Sequence, residues 1–357
     1  MSTLDDILDT NLFNSTSIGT TSSLLSSGDS ESTSGVPFSE PGYEGTIDYR
    51  IRQLSYSSIL TLHTCPRKYQ LYKLRAGRGD NSERQEITFA FGHVIGEAIQ
   101  LALSGCSQSE VIFRTFLSWK PDLFATDDRA NKSFWSAIMA IKRFFSLRDS
   151  GFLQDYELVT YQGKPACELS FCINFPDGFR YRGHVDAVLS HRLSGEILVL
   201  ECKTTGAASL NPAIYKNSAQ AIGYSIVLDS LFSDLSSYKV LYLVYQTKNG
   251  EYTPIPFTKT YLQRALWIRE LLLDIERIKM YEAAEVYPMH GESCVTYSRE
   301  TEKESKVWEG DCEYLNTCTL STEHLTKPCA AADEDVTEYQ VTLSLMDLLE
   351  TQLGKTS

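Results

Sequence analysis

Two strongly apolar runs that end in charge constrain this chain most. Gly183-His184-Val185-Asp186-Ala187-Val188-Leu189 and, after a turn, Ile197-Leu198-Val199-Leu200-Glu201-Cys202-Lys203 are rich in β-branched residues and read as adjacent strands. Alternation places Val185, Ala187 and Leu189 on one face, with His184 and Asp186 on the other. It likewise sets Glu201 and Lys203 opposite Cys202. Two carboxylates on neighbouring strands can hold a hard, oxygen-seeking cation such as Mg2+ or Mn2+. A lysine beside them can orient a water molecule and offset charge developing on a phosphorane. A surface ion-pair ladder is the bland alternative; it suits two charges better than three at the ends of apolar strands.

Helical periodicity precedes these strands. Ser55 is an N-cap signal for a helix ending near Cys65-Pro66, and a second helix is predicted from Arg67 to Leu74. Apolar spacing predicts helices over 85–103 (Phe91, Ile95, Ala98, Ile99, Ala102) and 131–147 (Phe134, Ile138, Ile141, Phe145). Strands follow at 155–161, 166–175, 179–189 and 196–203, with a turn at Pro176-Asp177-Gly178. A helix at 212–231, the strand Val240–Tyr245 and a helix from Lys259 to Tyr281 complete the body. The order predicts an α/β fold: a central mixed β-sheet flanked by helices, with an N-terminal helical portion and disordered ends.

Residues 14–36 are Ser, Thr and Gly with little apolar content, too little to offset ordering entropy, so 1–48 are expected to be disordered. One domain is expected over 49–320, divided into a helical part (54–150), a sheet core (151–290) and a Cys-containing closing segment (291–320). The acidic tail, 321–357, is expected to be mostly disordered. Val341–Leu349 within it reads as a short amphipathic helix, either a frayed tail element or a partner-docking segment.

A net charge of −13 argues at first against nucleic acid. Its distribution changes that reading. Residues 1–50 carry −7 and residues 295–357 carry −8, which leaves +2 for residues 51–294. A near-neutral body has room for a basic groove around an acidic pocket, so DNA binding is permitted. The basic run Arg67, Lys68, Lys73, Arg75 and Arg78 offers phosphate contacts or a solvated helix face. Glu168, in Ala166–Phe171, could line the cleft; a solvated strand residue is the first choice. Nine cysteines and no export-type leader point to thiols or metal ligands in a reducing cytoplasm. No run approaches the ~18 apolar residues that span a bilayer, so no membrane partner is expected.

Asp186, fourteen intervening residues and then Glu201-Cys202-Lys203 resemble the PD-(D/E)XK nuclease superfamily. Gln220-Ala221-Ile222-Gly223-Tyr224 is similar to the Gln-x-x-x-Tyr helix of its RecB-type branch. Four-residue spacing sets Gln220 and Tyr224 on one helix face. Ser55-Tyr56-Ser57-Ser58 with Cys65-Pro66-Arg67-Lys68-Tyr69 looks like the N-terminal signature of the same branch, found in CRISPR-associated and phage-encoded exonucleases. The resemblance implies a restriction-endonuclease-like core over roughly 51–320. It implies Asp186, Glu201 and the Cys202 carbonyl as ligands of Mg2+ or Mn2+, Lys203 as the residue that positions water, and Gln220 and Tyr224 as orienting groups. The branch usually carries Gly-x-x-x-His on its early helix, where His is a further metal ligand. This chain has Gly92-His93-Val94-Ile95-Gly96-Glu97, with Gly96 in that place. His93 or Glu97 stands in, with His93 the first choice; packing or capping accounts for His93 equally well.

Iron–sulfur members of the branch place one Cys before the core and three after it. Cys65, Cys294, Cys312 and Cys318 match that order, with a longer gap between Cys294 and Cys312 than is usual. A [4Fe–4S] cluster, Zn2+ or four reduced thiols all remain open. The resemblance implies a metal-dependent nuclease that hydrolyses DNA, acting as an exonuclease in recombination, repair or phage replication, with the acidic ends recruiting a recombination or replication protein. A catalytically inactive DNA-binding scaffold is the competing expectation, favoured by Gly96 and the acidic ends.

Overall fold

The computed structural model describes residues 50–74, 87–119, 121, 131–232, 237–290, 295–298, 308–312, 314, 318 and 339–345. The Ser-rich segment 1–48 and Cys294 lie outside the described residues. The chain opens with strand β1 (Gln53–Leu54) and two short helices, α1 (Tyr56–Thr64) and α2 (Pro66–Leu74). Ser55 caps α1 as its sequence predicts, in a reciprocal box with Ser58. Three longer helices follow: α3 (Ile87–Leu103), α4 (Gln108–Ser118) and α5 (Phe134–Asp149). Helix α4 escapes the periodicity reading because Val111 and Thr115 are its buried residues, while Phe113, Phe116 and Leu117 are exposed.

Strands β2 (Tyr156–Leu158), β3 (Thr160–Tyr161), β4 (Lys164–Pro165), β5 (Cys167–Asn174), β6 (Arg180–His191) and β7 (Ile197–Thr205) come next. Helices α6 (Pro212–Lys216) and α7 (Gln220–Leu231) then lead to β8 (Ser237–Gln246) and β9 (Glu251–Thr260). The predicted helix over 212–231 is thus two helices. Asn211 caps the first, and the second restarts at Gln220. Lys259 ends β9 instead of starting a helix, and α8 (Tyr261–Ala283) begins after the Thr260 cap. Pro254 and Pro256 mask β9 in the sequence. An edge strand tolerates proline, and β9 is an edge strand.

Eight strands form one mixed sheet. Six run in the order β12 (Val341–Ser344), β5, β6, β7, β8 and β9, and β1 and β2 also pair with β6. β7 and β8 are parallel, as their helical crossover requires. Alternation along the inner strands feeds two cores. Ile197, Val199, Val240, Tyr242 and Val244 face a core shared with α7 and α8. Leu198, Leu200, Leu241, Leu243 and Tyr245 face a core shared with α3 and α5. Strands β10 (Val295–Ser298) and β11 (Trp308–Asp311) form a separate hairpin. The last element overturns the expected tail helix. Val341–Ser344 is strand β12, parallel to β5, and Val341 and Leu345 are each 3% exposed in the core. Its β-branched and aliphatic residues complete the edge that β5 would otherwise leave open.

Candidate active site

The site lies where β6 and β7 part. Their ladder runs from Ser190–Ile197 to Ala187–Leu200 and stops there. The next residues, Asp186 and Glu201, are not paired with each other, although Glu201 remains in register with Tyr242 of β8. The Cys202 amide instead donates to Asp186 Oδ2 at 2.8 Å. A strand residue's N–H and C=O lie along the same edge, so the Cys202 carbonyl is also on the Asp186 side. Expected alternation fails in one place. Val185 packs in the α7–α8 core, whereas Ala187 and Leu189 pack in the α3–α5 core, so these three do not share a face. His184 is exposed.

Glu201 and Lys203 point to the α7 side. Lys203 Nζ donates to Glu201 Oε1 at 2.8 Å, and Tyr224 Oη donates to Glu201 Oε2 at 3.0 Å. Gln220 Nε2 donates to that same Tyr224 oxygen at 3.2 Å. One helix turn thereby fixes a carboxylate that is 0% exposed. Three groups seat α7, and sequence reading missed two of them. Lys259 is buried, and its Nζ donates to the carbonyls of Lys216 and Ser218 just before the helix. Gly223 lets the helix approach: a Cβ there would lie 2.9 Å from Trp267 and 3.1 Å from Tyr181 Oη. Tyr56, from the expected N-terminal signature, reaches Ser218 at 3.4 Å.

Burial raises the Asp186 carboxyl to about 8, with the Glu201 charge adding to the rise; the Cys202 amide and Lys203 oppose it. Burial also raises Glu201, against the pull of Lys203 and Tyr224. Lys203 loses from burial but gains more from the Glu201 carboxylate, and its pKa rises. Carboxyl groups buried in this way favour a proton or a cation. Among the described residues, no donor reaches Asp186 Oδ1. The oxygen donors present suit a hard divalent cation, although no group of three or more His, Cys, Asp or Glu is drawn together among the described residues.

Helix α3 crosses the site. Gly92 lies against β7, its Cβ position 3.5 Å from Thr204 Oγ1, while a Cβ at Gly96 meets nothing within 4 Å. His93 is exposed, turned roughly 60° around the helix from Gly96. Glu97 is turned roughly 100° from it on the same reckoning. On the far side, Gln100 Nε2 donates to Glu168 Oε1 at 2.7 Å. Lys73 does not serve as a surface cation. Its Nζ donates to the Gln53 carbonyl, and burial lowers its pKa to about 7.

The cysteine set gathers in part. Cys65, at the α1–α2 junction, is buried, and its Sγ accepts from the amides of Lys68 (3.5 Å) and His290 (3.4 Å). Cys312 and Cys318, like Tyr72, pack against Leu71 and Tyr314. Burial raises the Cys318 thiol; Arg67 opposes this, and Cys65 and Cys312 add to it. Cys106, Cys167, Cys172 and Cys202 lie elsewhere, none of them in a disulfide among the described residues.

No curated protein matches the chain. Among solved structures, a presumed exonuclease from Eubacterium rectale is 11% identical, with a TM-score of 0.43, covering 73% of this chain and 92% of its own. SSO0001 is 12% identical with a TM-score of 0.23, covering 64% of this chain and 85% of its own. Neither carries an argument at that score. The profile of the PD-(D/E)XK nuclease superfamily matches residues 53–319, well over half of the sequence and all of the sheet except β12. With its acid pair and lysine at the parting of β6 and β7, the chain belongs to the PD-(D/E)XK nuclease superfamily.

Proposed function

We propose that the protein is a metal-dependent nuclease that hydrolyses DNA phosphodiester bonds. The observation that carries this reading is the hydrogen-bonded chain Gln220–Tyr224–Glu201–Lys203, which meets Asp186 at the end of a strand ladder. Asp186, Glu201 and the Cys202 carbonyl would hold Mg2+ or Mn2+. Such an ion supplies Lewis acidity, making water more acidic and polarising the phosphoryl group. Lys203, held by Glu201, positions the attacking water. Gln220 and Tyr224 keep Glu201 and Lys203 oriented. Exonuclease action on DNA ends in recombination, repair or phage replication, in the cytoplasm, is the form that the family resemblance implies. A cluster or zinc on Cys65, Cys294, Cys312 and Cys318, tying the closing segment to α1 and α2, is the cofactor that the family resemblance implies, and the packing of Cys312 and Cys318 against Leu71 of α2 supports that tie.

A silent DNA-binding scaffold is the second reading, and Gly96 in place of a helix-borne ligand favours it. Cleavage of end-labelled single- and double-stranded DNA by anaerobically purified protein distinguishes the two. The assay runs with Mn2+, Mg2+ or EDTA, beside Lys203→Ala, after the visible spectrum is recorded. Metal-dependent cleavage that Lys203→Ala abolishes, with DNA binding retained, is expected. Equal cleavage by parent and variant sinks the assignment, and DNA binding without cleavage in any metal selects the scaffold.

A further inference from the structure

Strand β6 crosses an opening in the sheet before it reaches Asp186. Its first residues, Arg180 and Tyr181, pair with β1, and Ala187 to Ser190 pair with β7. Arg180, Tyr181 and Ala187 also pair with β5, so β1 and β7 share the opposite edge. Among the described residues, 182–186 therefore have no strand on that edge. The Arg180 amide donates to the Arg52 carbonyl at 3.0 Å on the β1 side. Alternation turns the His184 amide toward the same edge, into the opening.

Phe179, Tyr181 and Val185 point into the core shared with α7 and α8. Arg180, Arg182 and His184 thus stand on the other face of β6. Arg180 and His184 are exposed, and Arg182 is half-buried, with its Nη1 donating to Tyr339 Oη at 3.3 Å. Their partners across the ladder, Asn174, Cys172 and Ser170, are short, so the basic side chains rise above this face. The Arg182 charge also adds to the burial that lowers Lys73. Like charges gathered in this way favour an anion beside them. A nucleotide contributes six backbone bonds and an amino acid three, so an extended nucleotide strand advances one phosphate for about every two residues of a β-strand. A duplex strand winds away from a straight line at every step, whereas an extended single strand can follow β6. We infer that Arg180, Arg182 and His184 hold successive phosphates of a single DNA strand and lead it along β6 to Asp186. This inference rests on the nuclease reading above and adds to it the residues that seat the substrate and the form of DNA they take.

Fluorescence anisotropy of the full chain with end-labelled oligo-dT tests it. EDTA keeps the DNA intact whether or not the protein cuts. The slope of log affinity against log salt, from about 50 to 200 mM KCl, counts the phosphates neutralised, at about 0.7 per contact for a single strand. Arg180→Gln and Arg182→Gln should each make the slope shallower by about 0.7, and the double variant by about 1.4. Arg180→Lys should restore the parent slope, because lysine neutralises a phosphate as a point charge. Arg192→Gln removes an equal charge just beyond the other end of β6, where Arg192 lies 3.6 Å from Glu157, and should match the parent. Parent slopes in Arg180→Gln and in the double variant, beside metal-dependent cleavage by the parent, overturn the inference and leave the nuclease reading standing. A shallower slope that Arg180→Lys does not restore marks a structural role and overturns it too. Slopes that change on duplex DNA and not on oligo-dT overturn the assignment to a single strand. A parent that neither binds nor cuts DNA removes the nuclease reading, and the inference falls with it. Should Arg182→Gln misfold by circular dichroism, Arg180→Gln, at an exposed position, decides alone, and a parent slope there overturns the inference.

Discussion

Replacing Tyr224 by Phe removes one oxygen from the interior and leaves the ring in place. That oxygen accepts from Gln220 Nε2 at 3.2 Å and donates to Glu201 Oε2 at 3.0 Å. Tyr224 is 3% exposed and Glu201 0%, so bulk water does not replace the lost donor. The edge-on contact with Phe171, with ring centroids 6.1 Å apart, is retained. The cost is therefore that of a hydrogen bond to a charged acceptor, about 1.5–3 kcal/mol. Urea unfolding of the metal-free chain at pH 8 should show that loss, and thermal unfolding a Tm lower by roughly 2–6 °C. In a Glu201→Gln background the acceptor is neutral, and the same substitution should cost about 0.5–1.5 kcal/mol. The double-mutant cycle then yields a coupling of about 1 kcal/mol. A Tyr224→Phe chain within about 0.5 kcal/mol of its parent in both backgrounds would refute the reasoning.

Gly223→Ala drives a methyl group into Trp267 and Tyr181 and should destabilise the chain by about 1–3 kcal/mol in urea unfolding; a neutral result shows that α7 can lift away from α8. Truncation after residue 338 removes β12 and strips Val341 and Leu345 from the core, an expected loss of about 3–6 kcal/mol; an unchanged Tm shows the strand to be dispensable. Asp186 is raised by burial and by Glu201 to about 8 in the folded chain, against about 3.9 when unfolded. Its contribution to stability is full below about pH 4 and is lost as pH rises through about 8. Metal-free parent should therefore lose stability between pH 5 and pH 9 more steeply than Asp186→Asn, and parallel curves contradict the shift.

Local pattern made part of this protein legible. Ser55 announces α1 because capping involves residues three apart, and the β6–β7 pair shows in its β-branched runs. Glu201 and Lys203 share a face because strand period two is a local property, and Gln220 and Tyr224 do so through helix spacing. Features that depend on packing stayed hidden. Strand β9 was masked by two prolines that only an edge position accommodates. Val341–Ser344 carries the same aliphatic residues whether helical or extended, and the open edge of β5 decided for a strand. Lys259, buried on two carbonyls ahead of α7, looks in sequence like any lysine near a helix start.

The sequence by itself determined the sheet-forming runs, the helices that cover them and the charged residue types that two adjoining strands carry. These follow from nearest-neighbour spacing along the backbone. Only the tertiary structure decided where the ladder opens, that Asp186 takes the Cys202 amide, and that Glu168 and Gln100 lie beside the open space at Gly96. These are long-range juxtapositions, set by how α3 lies across β5, β6 and β7, and no local period encodes them.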